Sequence, residues 1–324
     1  MEIRIVGLVR SWDFHAAQYL AKDLYECFPS VFKQPMFDAL YELEWVEFLH
    51  NKKRELKGEY WAFNSAVFCF CDGKPIGNFV KLHSWAKEYY FLQNYRPRNF
   101  YEMLAYDLYR ENLMQRNVRT NSSMSQRNYV SMAITIGGDS CGTLLFELYS
   151  DIVPKTCANF MKLCTGELGI IPKNDCENYR MHYLDTIFFR VVPNGWIQGG
   201  DTLYGSGDDG CSIYGDNFEA EGLDIPRVTP RSILDENFAI KHDRRGVLSM
   251  VNKGRHTNSS QFMIIFQPAP WMDYRYVAFG QLLEGSGTLD AMEKVETRND
   301  RPCREIKIAE IKVLNPKDIH SKIL

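Results

Sequence analysis

The chain of 324 residues is 45% hydrophobic and 24% charged, a globular balance long enough for two ordinary domains, so wholesale disorder is excluded. A net charge of −3 supplies no field that would gather phosphate backbones or anionic lipid, so nucleic acid and membrane surface are not the expected partners. Nine scattered cysteines, an odd number, argue against a secreted disulfide framework, and the absence of any apolar run of about 18 residues or of a cleavable leader points to a cytoplasmic protein.

Ile3-Arg4-Ile5-Val6-Gly7 alternates like a strand, and Ala16 to Cys27 carries apolar residues at helical spacing, with Leu20 and Leu24 on one stripe. A second helix is predicted from about Phe37 to Leu56. Ala66 to Phe70, the turn Asp72-Gly73-Lys74-Pro75 and Ile76 to Phe79 read as a hairpin leading into a helix through Trp85; Phe100 to Leu113 predicts one more amphipathic helix. Cys69 and Cys71 fall on one strand face, where small core hydrophobes are a simpler reading than a metal or redox pair. Residues 118–128, polar and rich in Asn and Ser, read as a linker between a domain at 1–117 and a second at 129–313, with a tail at 314–324.

The order β-α, α, β-β-α resembles the glutaredoxin branch of the thioredoxin fold, which implies an N-terminal α/β thioredoxin/glutaredoxin-like domain. Redox chemistry there needs a low-pKa cysteine at the first helix N-terminus, where helix dipole and exposed N–H groups stabilise thiolate. This chain has Ser11-Trp12-Asp13-Phe14 at that place and no proline immediately before Ala66, so the domain is expected to be degenerate and to dock rather than to catalyse.

From Tyr129 onward, short strands broken by Gly, Asn, Asp and Pro turns predict a closed antiparallel β-barrel with flanking helices. Phe146-Glu147-Leu148-Tyr149 and Pro154-Lys155-Thr156-Cys157-Ala158-Asn159-Phe160 come first, with proline in the first helical turn. Phe188-Phe189-Arg190-Val191-Val192, Gln198-Gly199-Gly200-Asp201, Gly246-Val247-Leu248-Ser249-Met250, Asn258-Ser259-Ser260-Gln261-Phe262 and Val277-Ala278-Phe279-Gly280 follow. In this order and spacing the segment resembles the cyclophilins, β-barrel proteins that bind X-Pro peptides and catalyse their cis/trans isomerisation.

The resemblance implies a site. Rotation about X-Pro must break amide resonance, a barrier of about 18–20 kcal/mol, and a fixed cation donating to the prolyl nitrogen stabilises the twisted state. Arg190 matches that cation, and Gln198 matches the side chain that steadies it. Asn252, Gln261 and Trp271 match peptide-binding positions, with the Trp271 indole N–H able to reach a peptide carbonyl. Met263, Met272 and Tyr276 match the walls of the proline pocket, and no cofactor or metal is implied.

The pocket positions depart from the family pattern. Gly195 stands for the usual phenylalanine, Trp196 for methionine, Met263 for phenylalanine, Met272 for leucine, Tyr276 for histidine and Val251 for alanine, while Lys253 replaces a small residue. Residues 220–234, with Pro226 and Pro230, interrupt a segment the family keeps short. The rebuilt pocket leaves two readings, an isomerase of weak or altered activity and a non-catalytic peptide-binding scaffold; they differ in whether Trp196 restores the missing wall or blocks the groove. The implied partner is a proline-containing protein or peptide, with reduced affinity for cyclosporin. The two-domain arrangement also resembles a cyclophilin subfamily associated with motile cilia, which implies a cilium or axoneme setting and axonemal microtubule-associated partners.

Overall fold

The computed structural model describes residues 1–92, 96–118, 127–172, 178–214 and 236–314. Most of the predicted linker, at 119–126, the insertion 220–234 and the tail beyond Leu314 lie outside the described residues. The chain divides into two compact units, Met1–Gln115 and Arg116–Leu324.

In the first unit β1 (Ile3–Leu8), α1 (Trp12–Cys27), β2 (Met36–Leu40), α2 (Glu42–Leu56), β3 (Val67–Cys71), β4 (Lys74–Gly77), α3 (Phe79–Tyr90) and α4 (Arg98–Val118) follow in order. The sheet order is β2-β1-β3-β4, with β1 parallel to β2 and antiparallel to β3. Strand alternation divides the apolar residues between two faces: Ile3, Ile5, Val67 and Cys69 pack with Phe14, Leu20 and Leu24 of α1 and Leu82 of α3, whereas Val6, Phe68 and Phe70 pack with Trp45 of α2. Asp72 and Gly73, at φ of 48° and 76°, make the tight turn between β3 and β4 that positive φ at both central residues allows.

Met36–Leu40 corrects the predicted helix from Phe37. Its backbone pairs with β1 from Arg4–Met36 to Leu8–Leu40, and the helix starts only at Glu42, where the Glu44 carboxylate accepts from Tyr41 N at 2.9 Å.

The second unit contains β5 (Asn128–Ile136), β6 (Asp139–Leu148), α5 (Pro154–Thr165), β7 (Ile170–Pro172), β8 (Asn178–Arg180), β9 (Arg190–Val192), β10 (Trp196–Gly199), β11 (Val247–Met250) and β12 (Phe262–Ile265). A 3₁₀ turn at Pro270–Met272, β13 (Ala278–Glu284), α6 (Ser286–Glu293), β14 (Thr297–Arg298), β15 (Arg301–Pro302) and β16 (Ile306–Leu314) complete it. Eight strands form one antiparallel sheet, β16-β5-β6-β13-β11-β12-β10-β9. Phe160 of α5 sits 5.0–5.3 Å, ring centre to ring centre, from Phe279, Phe262 and Tyr183, so this helix plugs an aromatic core.

The closed barrel is a curled half-barrel instead. Phe188 N and Ile308 N bond across to Ile306 O and Thr186 O at 2.9 and 3.1 Å, and Ile187 bridges Lys307, which brings the preceding segment against β16. Phe189 N then turns to Gln198 O at 3.1 Å, so the chain leaves β16 for β10 before a ladder can form. The sheet keeps two edges, β9 and β16.

Because the second unit has its own sheet and aromatic core, residues 127–324 expressed alone should unfold in one cooperative denaturant transition monitored by circular dichroism. Insolubility or a broad, non-cooperative loss of signal, while the full chain unfolds cooperatively, would contradict that division.

Candidate functional site

Four neighbouring strands set the register of the site. Arg190 of β9 lies opposite Gln198 of β10, Gln198 opposite Met263 of β12, and Met263 opposite Ser249 of β11. Paired residues share a sheet face and alternate along each strand. Ile197, Phe262, Ile264 and Leu248 therefore turn toward the Phe160 core, and Trp196, Gln198, Met263 and Ile265 turn the other way. Between β9 and β10 the chain reverses through Pro193 and Asn194, the latter at φ 59°, with Gly195 N bonded to Val192 O at 2.9 Å. That turn delivers Trp196 as the first residue of β10.

The glutamines are fixed by a loop. Asp201, which is buried, accepts from Leu203 N and Tyr204 N through Oδ1 at 2.9 and 3.0 Å, and from Gly207 N through Oδ2 at 2.8 Å. The loop so ordered presents the carbonyls of Gly207 and Asp209, to which Gln261 Nε2 donates at 2.9 and 2.7 Å. The amide of Gln261 is thereby oriented, and its Oε1 accepts from Gln198 Nε2 at 2.8 Å. Gly200 permits the sharp exit from β10: it sits at φ 85°, and a Cβ there would meet Ser260 O at 2.5 Å.

Arg190 is 46% exposed and its guanidinium is engaged twice. Nε and Nη2 both donate to Asp300 Oδ2, at 3.2 and 3.0 Å, and the guanidinium carbon lies 5.4 Å from the centre of the Trp196 ring.

Trp196 occupies the middle of the site. Its ring centre is 5.9 Å from that of Trp271, edge to face, and it packs on a cluster of Val247, Met263, Ile265, Ala269, Met272 and Ala278, beside Val251 and Tyr276. Met263 and Met272 are only 2% and 1% exposed, whereas Trp271 at the rim is 53% exposed. Gly195 leaves little room for a replacement wall, since a Cβ there would meet Val192 Cγ1 at 3.0 Å and Val192 O at 3.2 Å.

The rim is pinned from beneath. Asp273, directly after Met272, accepts from His242 N at 2.9 Å and pairs with His242 Nδ1 at 3.0 Å, while His242 Nε2 meets Ser249 Oγ at 2.9 Å. A carboxylate can only accept, so Nδ1 carries the proton and Nε2 accepts from the serine hydroxyl. The order Asp-His-Ser is that of a hydrolase triad, but Ser249 and His242 are fully buried and no substrate can reach them. The chain of bonds instead holds Trp271 and Met272 in place. Burial depresses the His242 pKa, against the opposing pull of Asp273. Asn252 closes the far end by donating from Nδ2 to Arg275 O at 2.8 Å, next to Tyr276.

The fold thus brings together Arg190, Trp196, Gln198, Gln261, Met263, Trp271, Met272 and Tyr276, and ties Asn252 to the Arg275 backbone. Sequence reasoning missed Asp300, His242, Ser249 and Asp273. For Asp300 the only local signal is Asn299-Asp300 as a turn dipeptide; nothing in the sequence joins it to a residue 110 positions away. Among the described residues no group of three or more His, Cys, Asp or Glu could hold a metal ion, and no helix is long and apolar enough to cross a membrane.

Because the folded protein holds His242 neutral, the unfolded chain takes up a proton first as pH falls below the ordinary histidine value of about 6.5. Stability contributed by this group is complete above that value and is lost as pH drops, with a slope of at most about 1.4 kcal/mol per pH unit. Denaturant titrations between pH 7.5 and 5 should show that loss, and His242→Gln should flatten part of it. Equal pH dependence in both proteins would show that His242 is not held neutral.

The model of the cyclophilin type peptidyl-prolyl cis-trans isomerase/CLD family matches residues 131–313. A mouse protein, probable inactive peptidyl-prolyl cis-trans isomerase-like 6, is 42% identical over 314 residues, covering 97% of this chain and 91% of the mouse protein. Its human counterpart of the same name is 40% identical over 310 residues, covering 96% and 91%. The crystal structure of a Cryptosporidium parvum cyclophilin type peptidyl-prolyl cis-trans isomerase aligns over 58% of this chain and 98% of its own, at 31% identity and a TM-score of 0.46. With the family match over most of the second unit and relatives spanning nearly the whole length, this chain belongs to the cyclophilin-type peptidyl-prolyl cis-trans isomerase family.

Proposed function

We propose that the face formed by β9, β10, β12 and β11 holds an X-Pro segment of a protein partner, with cis/trans isomerisation weak or absent. The observation that carries this reading is the position of Trp196 above a pocket floor whose methionines are 2% and 1% exposed. A pyrrolidine ring seeking that floor must displace the indole or forgo burial worth roughly 1–3 kcal/mol, a factor of about ten to a hundred. The names of the mouse and human relatives, probable inactive isomerases, support the same reading. Cyclosporin, whose site in the family overlaps the proline pocket, is expected to bind weakly for the same reason.

Residual turnover is favoured by one specific observation, the survival of Arg190 opposite Gln198 in the strand register together with the Gln198–Gln261 hydrogen bond. In that mechanism no bond breaks; the guanidinium donates to the lone pair that the prolyl nitrogen regains as the peptide twists. The first unit is proposed to be a degenerate thioredoxin-like docking domain. Its β2-β1-β3-β4 order supports that reading, as does Asp13, whose carboxylate occupies the first turn of α1 where a thiolate would be needed. Burial pushes the Cys69 thiol well above the usual range, which disfavours thiolate chemistry. On the resemblance to the ciliary subfamily, the proposed partner is a proline-containing axonemal protein.

A coupled isomerase assay over a panel of X-Pro peptides tests the site. Trp196→Met should raise kcat/KM about tenfold over the parent, and adding Arg190→Ala should remove about 10²-fold from the raised value. Equal activity in the parent and Trp196→Met would mean that the indole blocks nothing; indifference to Arg190→Ala would end the catalytic role of that residue. In a glutathione-dependent reduction of a mixed disulfide the full chain should show no activity above background, and robust turnover would overturn the docking reading of the first unit.

A further inference from the structure

Asp300 is delivered to the site by its own device. Asn299 and Asp300 form the two-residue turn between β14 and β15, at φ of 50° and 61°, and Arg298 pairs with Arg301 across it. The Asp300 carbonyl is tied to Val191 N at 2.7 Å, beside Arg190 in β9. The backbone of the residue is therefore set before its carboxylate meets the guanidinium, so little further ordering is needed to make the pair. Both N–H groups of Arg190 that reach Asp300 converge on one oxygen, and the guanidinium lies toward the Trp196 ring.

We infer that Asp300 is a positioning residue that parks Arg190: its carboxylate takes up the Nε and Nη2 donors of the guanidinium and offsets its charge. This rests on the reading of the outer face as an X-Pro groove, in which Arg190 acts only when its N–H groups can turn to a prolyl nitrogen. Trp196 and Asp300 then suppress turnover by separate means, the first by filling the pocket and the second by occupying the cation. The pair is exposed on both sides, 46% for Arg190 and 41% for Asp300, so its effect is bounded by that of a surface ion pair, about two- to fivefold.

Asp300→Asn keeps the size of the side chain and tolerates the left-handed backbone, so the turn is retained. In the Trp196→Met background, Asp300→Asn should raise kcat about two- to fivefold with KM nearly unchanged, because the released cation acts on the twisted state. The gain should vanish when Arg190→Ala is added. In the full chain by ¹⁵N nuclear magnetic resonance, the Arg190 Nε–H should exchange slowly with water and become faster in Asp300→Asn. Unchanged exchange overturns the inference, as does an unchanged or lower kcat in an active Trp196→Met background. If no X-Pro peptide binds the parent or Trp196→Met, the groove reading fails and the exchange measurement alone decides: acceleration supports the parked arginine, and equality overturns it.

Discussion

The register between β9, β10 and β12 governs everything on the outer face. A slip of one residue in β10 would turn Ile197 outward and Gln198 into the Phe160 core, because alternate side chains of a strand point to opposite faces. The register is held from the inner side, where Ile197 and Ile264 are fully buried against a core organised by Phe160, Phe262 and Phe279. Packing that has no chemistry of its own therefore decides where Arg190, Gln198 and Trp196 stand.

On that frame the candidate site has a polar half and an apolar half. The polar half is one connected chain: Asp201 orders a loop, the loop carbonyls orient Gln261, and Gln261 orients Gln198. The apolar half centres on one indole that touches the arginine on one side and Trp271 on the other. Edge-to-face aromatic and cation–π contacts of this kind are each worth about 0.5–1.5 kcal/mol, and together with packing of the ring on its cluster they favour the proposed filled arrangement. Methionine floors suit this role, since their flexible side chains adapt to an irregular overlying ring.

How far the sequence could be read follows from where the information lies. Arg190, Gln198 and Gln261 sit in contiguous blocks whose order survives along the chain, so their meeting on one face was legible without coordinates. The orientation of Trp196 was not, because the same indole could line an open groove or fill it, and only the neighbours Trp271, Met263 and Met272 decide. The strand Met36–Leu40 was hidden by its helical neighbour Glu42–Leu56, and it exists because β1 offers a parallel edge. The closed barrel was an overreach of the same sort: turn and strand signals foretell a curled sheet, but whether its edges meet depends on a single switch of partners at Phe189. His242 and Asp273 lie outside the blocks that carry the resemblance, and nothing in the sequence joins them to Ser249, so the network appears only in three dimensions.

The central claim is that the Trp196 indole rests on the floor formed by Met263 and Met272 in the face proposed to hold an X-Pro segment. Methyl-labelled methionine spectra of the full chain test it most directly, because an aromatic ring stacked on a methyl group shifts its resonance upfield and gives nuclear Overhauser contacts to the indole protons. The account predicts upfield ε-methyl signals for the Met263–Met272 cluster, with contacts to Trp196 that disappear in Trp196→Met. Methyl signals at ordinary positions, without contacts to Trp196 and unchanged by that substitution, would contradict it.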